Sequence, residues 1–376
     1  AKRLKGIMRG EDVVARLAGD EFVLIMRHVR DADELRGAMQ RVLAAISQPY
    51  TVCDKTLSVC ASIGVTLYPP DNEDAGTLLR HADQAMYVAK QSGRNRFHLF
   101  DVLKGREIKA THQQVERVRQ ALAAGELCLH YQPKVNMRTG EVVGFEGLLR
   151  WQHPKKGLVQ PADFLPVIEQ TDLIIDIGEW VIAQAIEQMH AWQGQGAHWP
   201  ISVNIAARHF QRADFVERLK VLLARHADVA PEKLDLEIIE STAIENMQHV
   251  SQCLEACQAL GVRFSLDDFG TGYSSLSYLK RLPTQTIKID KSFVRDILHD
   301  KDDLALTVAV VGLARAFGRK VIAEGLESEA QGSLLMHLGC EVAQGYFIAR
   351  PMPIRDVASW VASFKPPTAW LHQACA

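Results

Sequence analysis

The stretch that decides the fold is residues 201–205, Ile-Ser-Val-Asn-Ile, in which apolar and polar residues alternate. Because residues two apart in a β-strand share a face, this stretch predicts a strand with Ile201 and Val203 on one side and Ser202 and Asn204 on the other. Three further stretches also place charged groups on one face: 145–150 (Glu146 and Arg150), 234–238 (Glu237) and 286–290 (Lys288 and Asp290). Two more end in acids: 263–268 in Asp267 and Asp268, and 321–324 in Glu324.

These strands alternate with helical stretches over residues 126–364, which indicates βα units around a parallel sheet. About 240 residues of such units is the usual size of a (β/α)8 barrel. We therefore expect an α/β fold of the TIM-barrel type, with the polar groups gathered at the C-terminal ends of the strands. A single strand of this kind could equally be the solvated face of an antiparallel sheet. That alternative explains six of them poorly, because the intervening helices would cover an outward polar face.

The length of 376 residues predicts two or three domains, and a composition of 47% hydrophobic and 23% charged residues is that of a globular protein. A net charge of −2 gives no bulk electrostatic reason to bind a nucleic-acid polymer or an anionic membrane. The most apolar stretch, 304–314, is too short for a membrane span, and residues 1–10 do not resemble a signal peptide. Seven scattered cysteines predict reduced thiols, so we expect a cytoplasmic segment without membrane contact. The sequence does not decide whether the natural protein has upstream sensory or membrane segments.

Five carboxylates and one amide would meet at the mouth of this barrel, and the acids would repel one another unless cations lay among them. These groups are Glu146, Asn204, Glu237, Asp267, Asp268 and Glu324. A set of oxygen ligands without histidine or cysteine favours Mg²⁺ or Mn²⁺ over zinc, and the number of acids favours two ions. Two ions about 3.5–4 Å apart are a recurring arrangement for attack on a phosphodiester. Lys288 and Arg150 would supply positive charge for the phosphate.

Over residues 126–364 the chain resembles the EAL domain, a family that hydrolyses cyclic di-GMP. Short motifs in a fixed order carry the resemblance: 131–134 (Tyr-Gln-Pro-Lys), 146–151 (Glu-Gly-Leu-Leu-Arg-Trp), 203–204 (Val-Asn), 236–240 (Leu-Glu-Ile-Ile-Glu), 267–276 (Asp-Asp-Phe-Gly-Thr-Gly-Tyr-Ser-Ser-Leu), 288–290 (Lys-Ile-Asp), 323–327 (Ala-Glu-Gly-Leu-Glu) and 344–346 (Gln-Gly-Tyr) with Pro351. Each motif alone matches many sequences by chance, whereas together they extend over most of the barrel region.

The resemblance implies that the five clustered acids and Asn204 are metal ligands. It implies catalytic roles for four residues: Glu146, Lys288, Glu240 and Gln344. Lys288 would position or help to deprotonate the attacking water, with Gln344 supporting the same network, and Glu240 would anchor the flexible loop 270–275. Five residues would contact the substrate: Gln132, Leu148, Arg150, Asp290 and Glu327. The implied cofactor is Mg²⁺ or Mn²⁺, as two ions, and the implied small-molecule partner is cyclic di-GMP.

Two positions depart from the family's pattern. The signature Glu-Ala-Leu reads Glu146-Gly147-Leu148, and Ala206 stands where a serine often follows the asparagine. By alternation Gly147 faces away from Glu146, so the change should spare the ligand. A glycine in a strand costs roughly 0.5–1 kcal/mol relative to alanine, which the fold can tolerate.

The first hundred residues predict strands over 22–26 and 57–68 and an amphipathic helix over 78–91. They resemble the C-terminal part of a GGDEF domain, an α+β palm-like family that makes cyclic di-GMP from GTP. The matching motifs are 16–22 (Arg-Leu-Ala-Gly-Asp-Glu-Phe), 62–65 (Ser-Ile-Gly-Val), 83–90 (Asp-Gln-Ala-Met-Tyr-Val-Ala-Lys) and 93–95 (Gly-Arg-Asn). Ala18 replaces a glycine of the family's signature turn, and the family's first strand would lie before residue 1. We therefore expect a partial domain that, as given, is not a cyclase.

Two pairs of residues in this front part could bind a nucleotide. Arg9 and Asp12 fit the family's product-inhibition motif and would bind cyclic di-GMP, whereas a solvated charge cluster is the alternative. Lys90 and Arg94 fit phosphate contacts for GTP, whereas surface charges at a helix end are the alternative.

The sequence is thus divided into a partial GGDEF domain (1–100), a helical linker (101–125), an EAL barrel (126–364) and a C-terminal tail (365–376). The expected function is metal-dependent hydrolysis of cyclic di-GMP to linear 5′-pGpG, with a regulatory front domain. A non-catalytic cyclic di-GMP receptor is one alternative. A bifunctional cyclase–phosphodiesterase is another, if the natural protein has a complete GGDEF domain. A homodimer is compatible with the resemblance.

Overall fold

The structure is a computed structural model of the chain, and it describes residues 2–52, 55–57, 59–91, 95–240, 247–270 and 282–372. The chain divides into two compact units, Ala1–Gln113 and Gln114–Ala376. We call them the front unit and the barrel unit.

The front unit is a small α/β assembly. Its elements are α1 (Lys2–Ile7), β1 (Val13–Ala18), β2 (Glu21–Ile25), α2 (Ala32–Ser47), β3 (Tyr50–Val52), β4 (Lys55–Leu57), β5 (Ser62–Val65), α3 (Ala75–Gln91) and β6 (Arg96–Leu99). The pairs β1–β2 and β3–β4 are antiparallel, and β5–β6 is parallel. Leu35, Ala38 and Met39 of α2 are buried, and Ile63 and Phe97 pack against them.

The predictions for this unit hold in part. The strand predicted over 22–26 is β2, shifted by one residue. The single strand predicted over 57–68 is wrong, because that segment serves two sheets: β4 pairs with β3, and β5 pairs with β6. The helix predicted over 78–91 begins earlier, at Ala75, since the Asp74 carboxylate accepts hydrogen bonds from the N–H groups of Gly76 and Thr77.

A long helix, α4 (Val102–Ala123), occupies the segment predicted as a helical connector, and the boundary between the two units falls within it. The division of the chain into domains at residues 100, 125 and 364 stays a prediction.

The described part of the barrel unit contains ten strands: β7 (Leu127–Asn136), β8 (Val142–His153), β9 (Gly157–Val159), β10 (Ile201–Asn204), β11 (Leu234–Ile239), β12 (Arg263–Phe269), β13 (Thr286–Ile289), β14 (Lys320–Ala323), β15 (Val342–Ala343) and β16 (Met352–Pro353). Eight of them close into a ring in the order β7-β15-β14-β13-β12-β11-β10-β8, and β8 pairs again with β7. The remaining two, β9 and β16, pair with β8 and β7 at the edge. The predicted TIM-like barrel is therefore confirmed.

One strand departs from the all-parallel pattern that we expected. Strand β7 is antiparallel to both of its neighbours in the ring, β8 and β15. A short turn joins β7 to β8: the side-chain oxygen of Asn136 accepts hydrogen bonds from the N–H groups of Arg138 and Thr139. A connection of this length can join only antiparallel strands, because a parallel pair needs a crossover of a dozen or more residues.

The described helices that lie between these strands in sequence are α5 (Leu165–Ile168), α6 (Leu173–Gly194), α7 (Ala207–Phe210), α8 (Phe215–Ala224), α9 (Met247–Ala259), α10 (Lys291–Arg295), α11 (Lys301–Ala316) and α12 (Glu329–Leu338), with 3₁₀ turns at Pro161–Asp163 and Pro231–Lys233. Two more, α13 (Ile354–Ser363) and α14 (Thr368–His372), follow the last strand. The apolar residues of the strands, such as Val203, Leu236 and Leu266, are fully buried in one continuous core. Among the described residues, no helix combines the length and the apolar character that crossing a bilayer requires.

Part of the segment predicted as a C-terminal tail is folded against the barrel unit. Trp370 of α14 is fully buried, and its indole N–H donates a hydrogen bond of 3.1 Å to the backbone oxygen of Glu329 at the start of α12. The glycine at position 332 leaves room for the ring, because a Cβ there would lie 2.5 Å from it.

Candidate active site

The polar side chains of the barrel meet at the C-terminal ends of its strands because the pairing of neighbouring strands places the residues that carry them side by side. Asn204, the last residue of β10, lies opposite Glu237 of β11. Asp267 of β12 lies beside the end of β11, and Glu146 of β8 lies opposite Gln132 of β7. The structure thus brings together the residues that alternation along the separate strands had placed on one side.

Lys288 of β13 lies at the centre of this cluster and is fully buried. Its Nζ is 2.6 Å from Oε2 of Glu237, 2.5 Å from Oε1 of Glu324, 3.0 Å from Oδ1 of Asp267 and 3.7 Å from Oε2 of Glu146. Burial disfavours the charged lysine, but the surrounding carboxylates outweigh burial and hold the pKa of Lys288 well above its usual value. One ammonium group therefore compensates several acids at once.

The positive charge of the lysines does not stabilise all the carboxylates equally. Ion pairs with Lys134 and Lys288 overcome the effect of burial and lower the pKa of Glu237. Burial, reinforced by neighbouring acids, raises the pKa of Glu324 to about 8 and that of Asp268 to about 6. The cluster therefore has more negative charge than its lysines neutralise, and part of it holds protons near neutral pH.

Glu146 is held by two amides. The Asn204 amide donates a hydrogen bond of 2.7 Å to Oε1, and the Gln344 amide donates one of 2.6 Å to Oε2 and a second, of 2.8 Å, to Oε1 of Gln132. The carbonyl oxygen of the Gln344 side chain is buried and has no hydrogen-bond partner among the described residues. A buried acceptor of this kind fits a donor that binds in the site, such as a water molecule on a cation.

Gln344 can lie this deep because a glycine follows it. The Gln344 carbonyl accepts a hydrogen bond of 3.1 Å from the Leu326 N–H, and the Leu326 carbonyl accepts one of 3.0 Å from the Phe347 N–H. A Cβ at Gly345 would lie 2.1 Å from the Leu326 nitrogen. This close backbone approach admits only glycine and fixes the segment after β15 against the segment that carries Glu324.

Asp267, Asp268 and Glu324 could bind one cation, since one carboxylate oxygen of each lies within 4.8 Å of the others. Strict alternation would place Asp267 and Asp268 on opposite faces of β12. The strand avoids this because Asp268 has a left-handed φ of 52° and the register with β13 shifts between Leu266 and Phe269. The all-oxygen donor set, the uncompensated charge and the unpaired Gln344 oxygen fit a hard divalent cation such as Mg²⁺ or Mn²⁺.

Three of the predicted substrate contacts lie on β7 and β8. The Gln132 amide donates a hydrogen bond of 2.9 Å to the Ala349 carbonyl. Arg150 is buried, which lowers its pKa, and its guanidinium donates to the backbone oxygen of Leu149 at 2.7 Å. Leu148 is half-buried and lies opposite His130 of β7.

The other two predicted substrate contacts differ from each other. The Asp290 carboxylate accepts a hydrogen bond of 2.9 Å from the Ser292 N–H at the start of α10, and a further hydrogen bond couples it to Asp268. Glu327 is exposed, and its backbone N–H donates to Oε1 of Gln331 at 2.8 Å. Within the described part of the chain, no hydrogen bond joins the Glu327 carboxylate to the cluster.

Glu240 is buried at the end of β11, and its Oε2 accepts a hydrogen bond of 3.1 Å from the Gly270 N–H. This bond ties Glu240 to the first residue of the loop that the resemblance had assigned to it. Residues 271–275 of that loop lie outside the described residues.

Lys134 is a component of the site to which the sequence analysis gave no role. Its Nζ is buried and lies 2.8 Å from Oε1 of Glu237 and 2.6 Å from Oγ of Ser202. Glu237 is therefore held between two lysines, one on each oxygen. The signal was present in the sequence, since Lys134 is two residues from Gln132 and so shares its face of β7.

The nucleotide-binding candidates of the front unit have ordinary surface partners in this structure. The Asp12 carboxylate accepts hydrogen bonds from the N–H groups of Arg9 and Arg27, at 2.9 and 3.0 Å, and the Arg9 guanidinium lies 2.8 Å from Glu34. Lys90 is exposed near the end of α3. Arg94 lies outside the described residues.

Gly147, where the family signature has alanine, points into the apolar layer outside the barrel. A Cβ there would lie 3.3 Å from Cγ1 of Val203 and 3.5 Å from side-chain carbons of Ile201 and Leu129. The position therefore faces away from Glu146, as alternation predicts. Ala206 lies just before α7.

Two family models match the chain. The EAL domain model matches residues 115–351, and the model of the diguanylate cyclase GGDEF domain matches residues 1–96. The two matches lie in the order that the motifs indicated.

Several curated proteins and solved structures are similar to the chain. It is 44% identical over 363 residues to the bifunctional diguanylate cyclase/cyclic di-GMP phosphodiesterase MucR of Pseudomonas aeruginosa, covering 96% of this chain and 53% of that protein. It is 36% identical over 351 residues to the cyclic di-GMP phosphodiesterase PdeR of Escherichia coli, covering 93% and 52%. The chain thus spans about half the length of these relatives.

Among solved structures, the barrel is similar to that of the PaMucR phosphodiesterase in its c-di-GMP complex. The TM-score is 0.63 and the sequence identity 47%, over 65% of this chain and 99% of that one.

Proposed function

The chain belongs to the EAL family over residues 115–351, and on that premise we propose that its barrel unit hydrolyses cyclic di-GMP to linear 5′-pGpG with the help of two divalent cations. The observation that chiefly supports this is the convergence of four carboxylates around Lys288 at the mouth of the barrel, with Asp268 close to two of them, and with more negative charge than the lysines neutralise. The names of two relatives and the ligand of a similar structure support the choice of substrate.

In this proposal the cations are held by the residues of the acidic cluster: Glu146, Asn204, Glu237, Asp267, Asp268 and Glu324. When bound, such cations acidify a water molecule and balance the charge on phosphate oxygens. Burial raises the pKa values of Glu324 and Asp268, so both would have to be deprotonated in order to hold a cation. Gln344 and Asn204 keep Glu146 in one orientation through their amide hydrogen bonds.

Lys288 acts as a hydrogen-bond donor in this scheme. The carboxylates around it hold its pKa well above the usual value, which favours the ammonium form as a hydrogen-bond donor. Its burial among the acids suits it to orient the attacking water and to stabilise negative charge that develops on the phosphate. Lys134 holds Glu237 from the other side and so keeps its carboxylate fixed.

The substrate lies over the mouth of the barrel in this proposal. The buried guanidinium of Arg150 supplies positive charge for a phosphate, and Gln132 lies on β7 opposite Glu146. Leu148 contacts the guanine, and Asp290 and Glu327 complete the pocket. Glu240 positions the loop after β12 through the Gly270 N–H.

The test is turnover by the purified chain. Cyclic di-GMP is incubated with the protein and Mg²⁺, and the products are separated by chromatography. We expect linear 5′-pGpG from the unaltered protein, none after addition of a chelator, and none from Glu146→Ala. Glu341→Ala is the matched control, because Glu341 is a half-exposed acid next to the N-terminal end of β15 and pairs with Arg138. Equal turnover by the Glu146→Ala variant and the unaltered protein would contradict the proposal.

Two other outcomes would point to the alternatives. Binding of cyclic di-GMP without hydrolysis at saturating Mg²⁺ would make the barrel a receptor. Formation of cyclic di-GMP from GTP by the longer natural protein would make that protein bifunctional.

We also propose that the front unit regulates the barrel by binding GTP or cyclic di-GMP. The Arg9 backbone N–H donates a hydrogen bond to the Asp12 carboxylate, and among the described residues the only side-chain partner of the Arg9 guanidinium is Glu34, in an exposed ion pair. An exposed pair of this kind contributes little stability, so a phosphate could replace Glu34. Addition of nucleotide should change barrel turnover in the unaltered protein and not in Arg9→Ala. An equal response of both proteins would contradict a role for this arginine.

A further inference from the structure

A second group of metal-binding side chains lies far from the acidic cluster in the fold. It consists of His190 near the end of α6 and of His226 and Asp228 in the turn after α8, and we call it the His-His-Asp triad. One ring nitrogen of each histidine and one carboxylate oxygen of Asp228 all lie within 4.8 Å of one another.

The contacts within the triad are close. Nδ1 of His190 lies 2.7 Å from Oδ2 of Asp228, and the two imidazole rings are 4.5 Å apart between centroids, with 37° between their planes. His190 and Asp228 are about half exposed, which leaves room for water as a further ligand.

The backbone that carries the triad is held on both sides. His190 lies next to the buried Met189, one turn from the end of α6. The turn with the other two residues is closed by a hydrogen bond of 3.0 Å from the Val229 N–H to the His226 carbonyl, and Val229 is buried. The Gln193 amide donates a hydrogen bond of 3.1 Å to the Asp228 carbonyl and so joins the helix to the turn. The three ligands are therefore positioned before any ion arrives.

The donor set differs in kind from that of the acidic cluster. Two imidazole nitrogens and one carboxylate oxygen suit Zn²⁺ and its neighbours in the first transition row, whereas Mg²⁺ prefers oxygen ligands alone. Zinc takes such ligands at about 2.0–2.2 Å, often with water in the fourth position. One ligand atom of each residue already lies within 4.8 Å of the others, and a cation bound among them would displace the proton between His190 and Asp228.

We propose that His190, His226 and Asp228 form a binding site for Zn²⁺ that fastens the end of α6 to the turn after α8. The helices of a TIM-like barrel return to the N-terminal ends of the strands, so the triad lies at the end of the barrel opposite the acidic cluster. The two helices that it joins precede β10 and β11, the strands that carry Asn204 and Glu237. The ion would therefore stabilise the barrel wall without contacting the proposed catalytic centre.

The test uses the full chain in excess Mg²⁺, which occupies the oxygen-ligand cluster. Zn²⁺ is titrated in competition with a chromogenic chelator, and Co²⁺ is added separately as a spectroscopic probe, because nitrogen ligands and low coordination number give it more intense visible absorption than six oxygen ligands do. The unaltered protein should bind one zinc ion tightly and show this absorption. His226→Gln and Asp228→Asn should each weaken zinc binding by about tenfold or more and remove the absorption.

His337→Gln is the matched control, because His337 is an exposed histidine on α12, outside the triad. Zn²⁺ should raise the thermal unfolding midpoint of the unaltered protein and of this control, but not that of the triad variants. Unchanged zinc binding in both triad variants would overturn the proposal. So would loss of zinc binding in Glu324→Gln instead, since the zinc would then lie in the acidic cluster.

Discussion

Replacing Lys134 by methionine tests whether the buried charges of the barrel are balanced as the structure indicates. Methionine keeps most of the volume of the side chain but removes the ammonium group that lies 2.8 Å from Oε1 of Glu237 and 2.6 Å from Oγ of Ser202. Both partners of the ion pair are buried, with side-chain exposures of 6% and 0%. Removing one partner of a buried pair typically costs about 3–5 kcal/mol, because it leaves the other charge without compensation.

We expect the lower end of that range here, about 3 kcal/mol in the metal-free protein, since Lys288 still lies 2.6 Å from the other oxygen of Glu237. Divalent cations should reduce the loss. The variant cluster is more negative by one charge, so it should bind Mg²⁺ more tightly and gain more stability from it than the unaltered cluster does.

The assay is urea unfolding followed by tryptophan fluorescence, once with a chelator and once with excess Mg²⁺. All six tryptophans lie between residues 151 and 370, so the signal reports on the barrel unit alone. Lys220→Met is the matched control, because Lys220 is an exposed residue of α8 and the substitution changes the net charge equally. The reasoning is refuted if Lys134→Met unfolds like Lys220→Met in chelator, or if Mg²⁺ leaves the difference between them unchanged.

Three further predictions concern other parts of the barrel unit. Lys288→Ala should lower kcat at least about a hundredfold while KM changes much less, because the lysine is proposed to act on the attacking water. An equal effect on kcat and KM would argue against that role. Gly147→Ala should raise the free energy of unfolding by about 0.5–1 kcal/mol without loss of turnover, provided that Val203 yields slightly to the new methyl group, and urea unfolding measures it. Burial lowers the pKa of His209 to about 4, whereas the pKa in the unfolded chain is near 6.5. The unfolded chain therefore binds a proton more readily, and the free energy of unfolding falls as the pH is lowered from about 6.5 towards 4. His209→Leu should remove this loss of up to about 3 kcal/mol, and parallel pH dependences of unfolding for the two proteins would contradict the assignment.

The sequence alone determined the barrel and the membership of its acidic cluster. Alternation identified which side chains share a face in the strands that carry Glu146, Asn204, Glu237 and Lys288, and that property depends only on the period of an extended chain. The motifs then placed Glu146, Glu237 and Lys288 on separate strands, and a barrel must bring such strand ends together. The sequence also signalled Lys134, by its position two residues from Gln132, although its partner could not be inferred.

Other features depend on contacts between residues far apart in the chain, and only the tertiary structure decides them. The antiparallel direction of β7 follows from a short turn and from pairing with β15, about two hundred residues later. The use of both Asp267 and Asp268 in one cluster requires a left-handed backbone at Asp268 and a register shift against β13, which a period of two does not contain. The unequal pKa values of the acids arise in the same way, because each is set by burial and by how many ammonium groups the fold places within reach. Local pattern therefore specifies which residues face the barrel mouth, and packing specifies how their charges are shared.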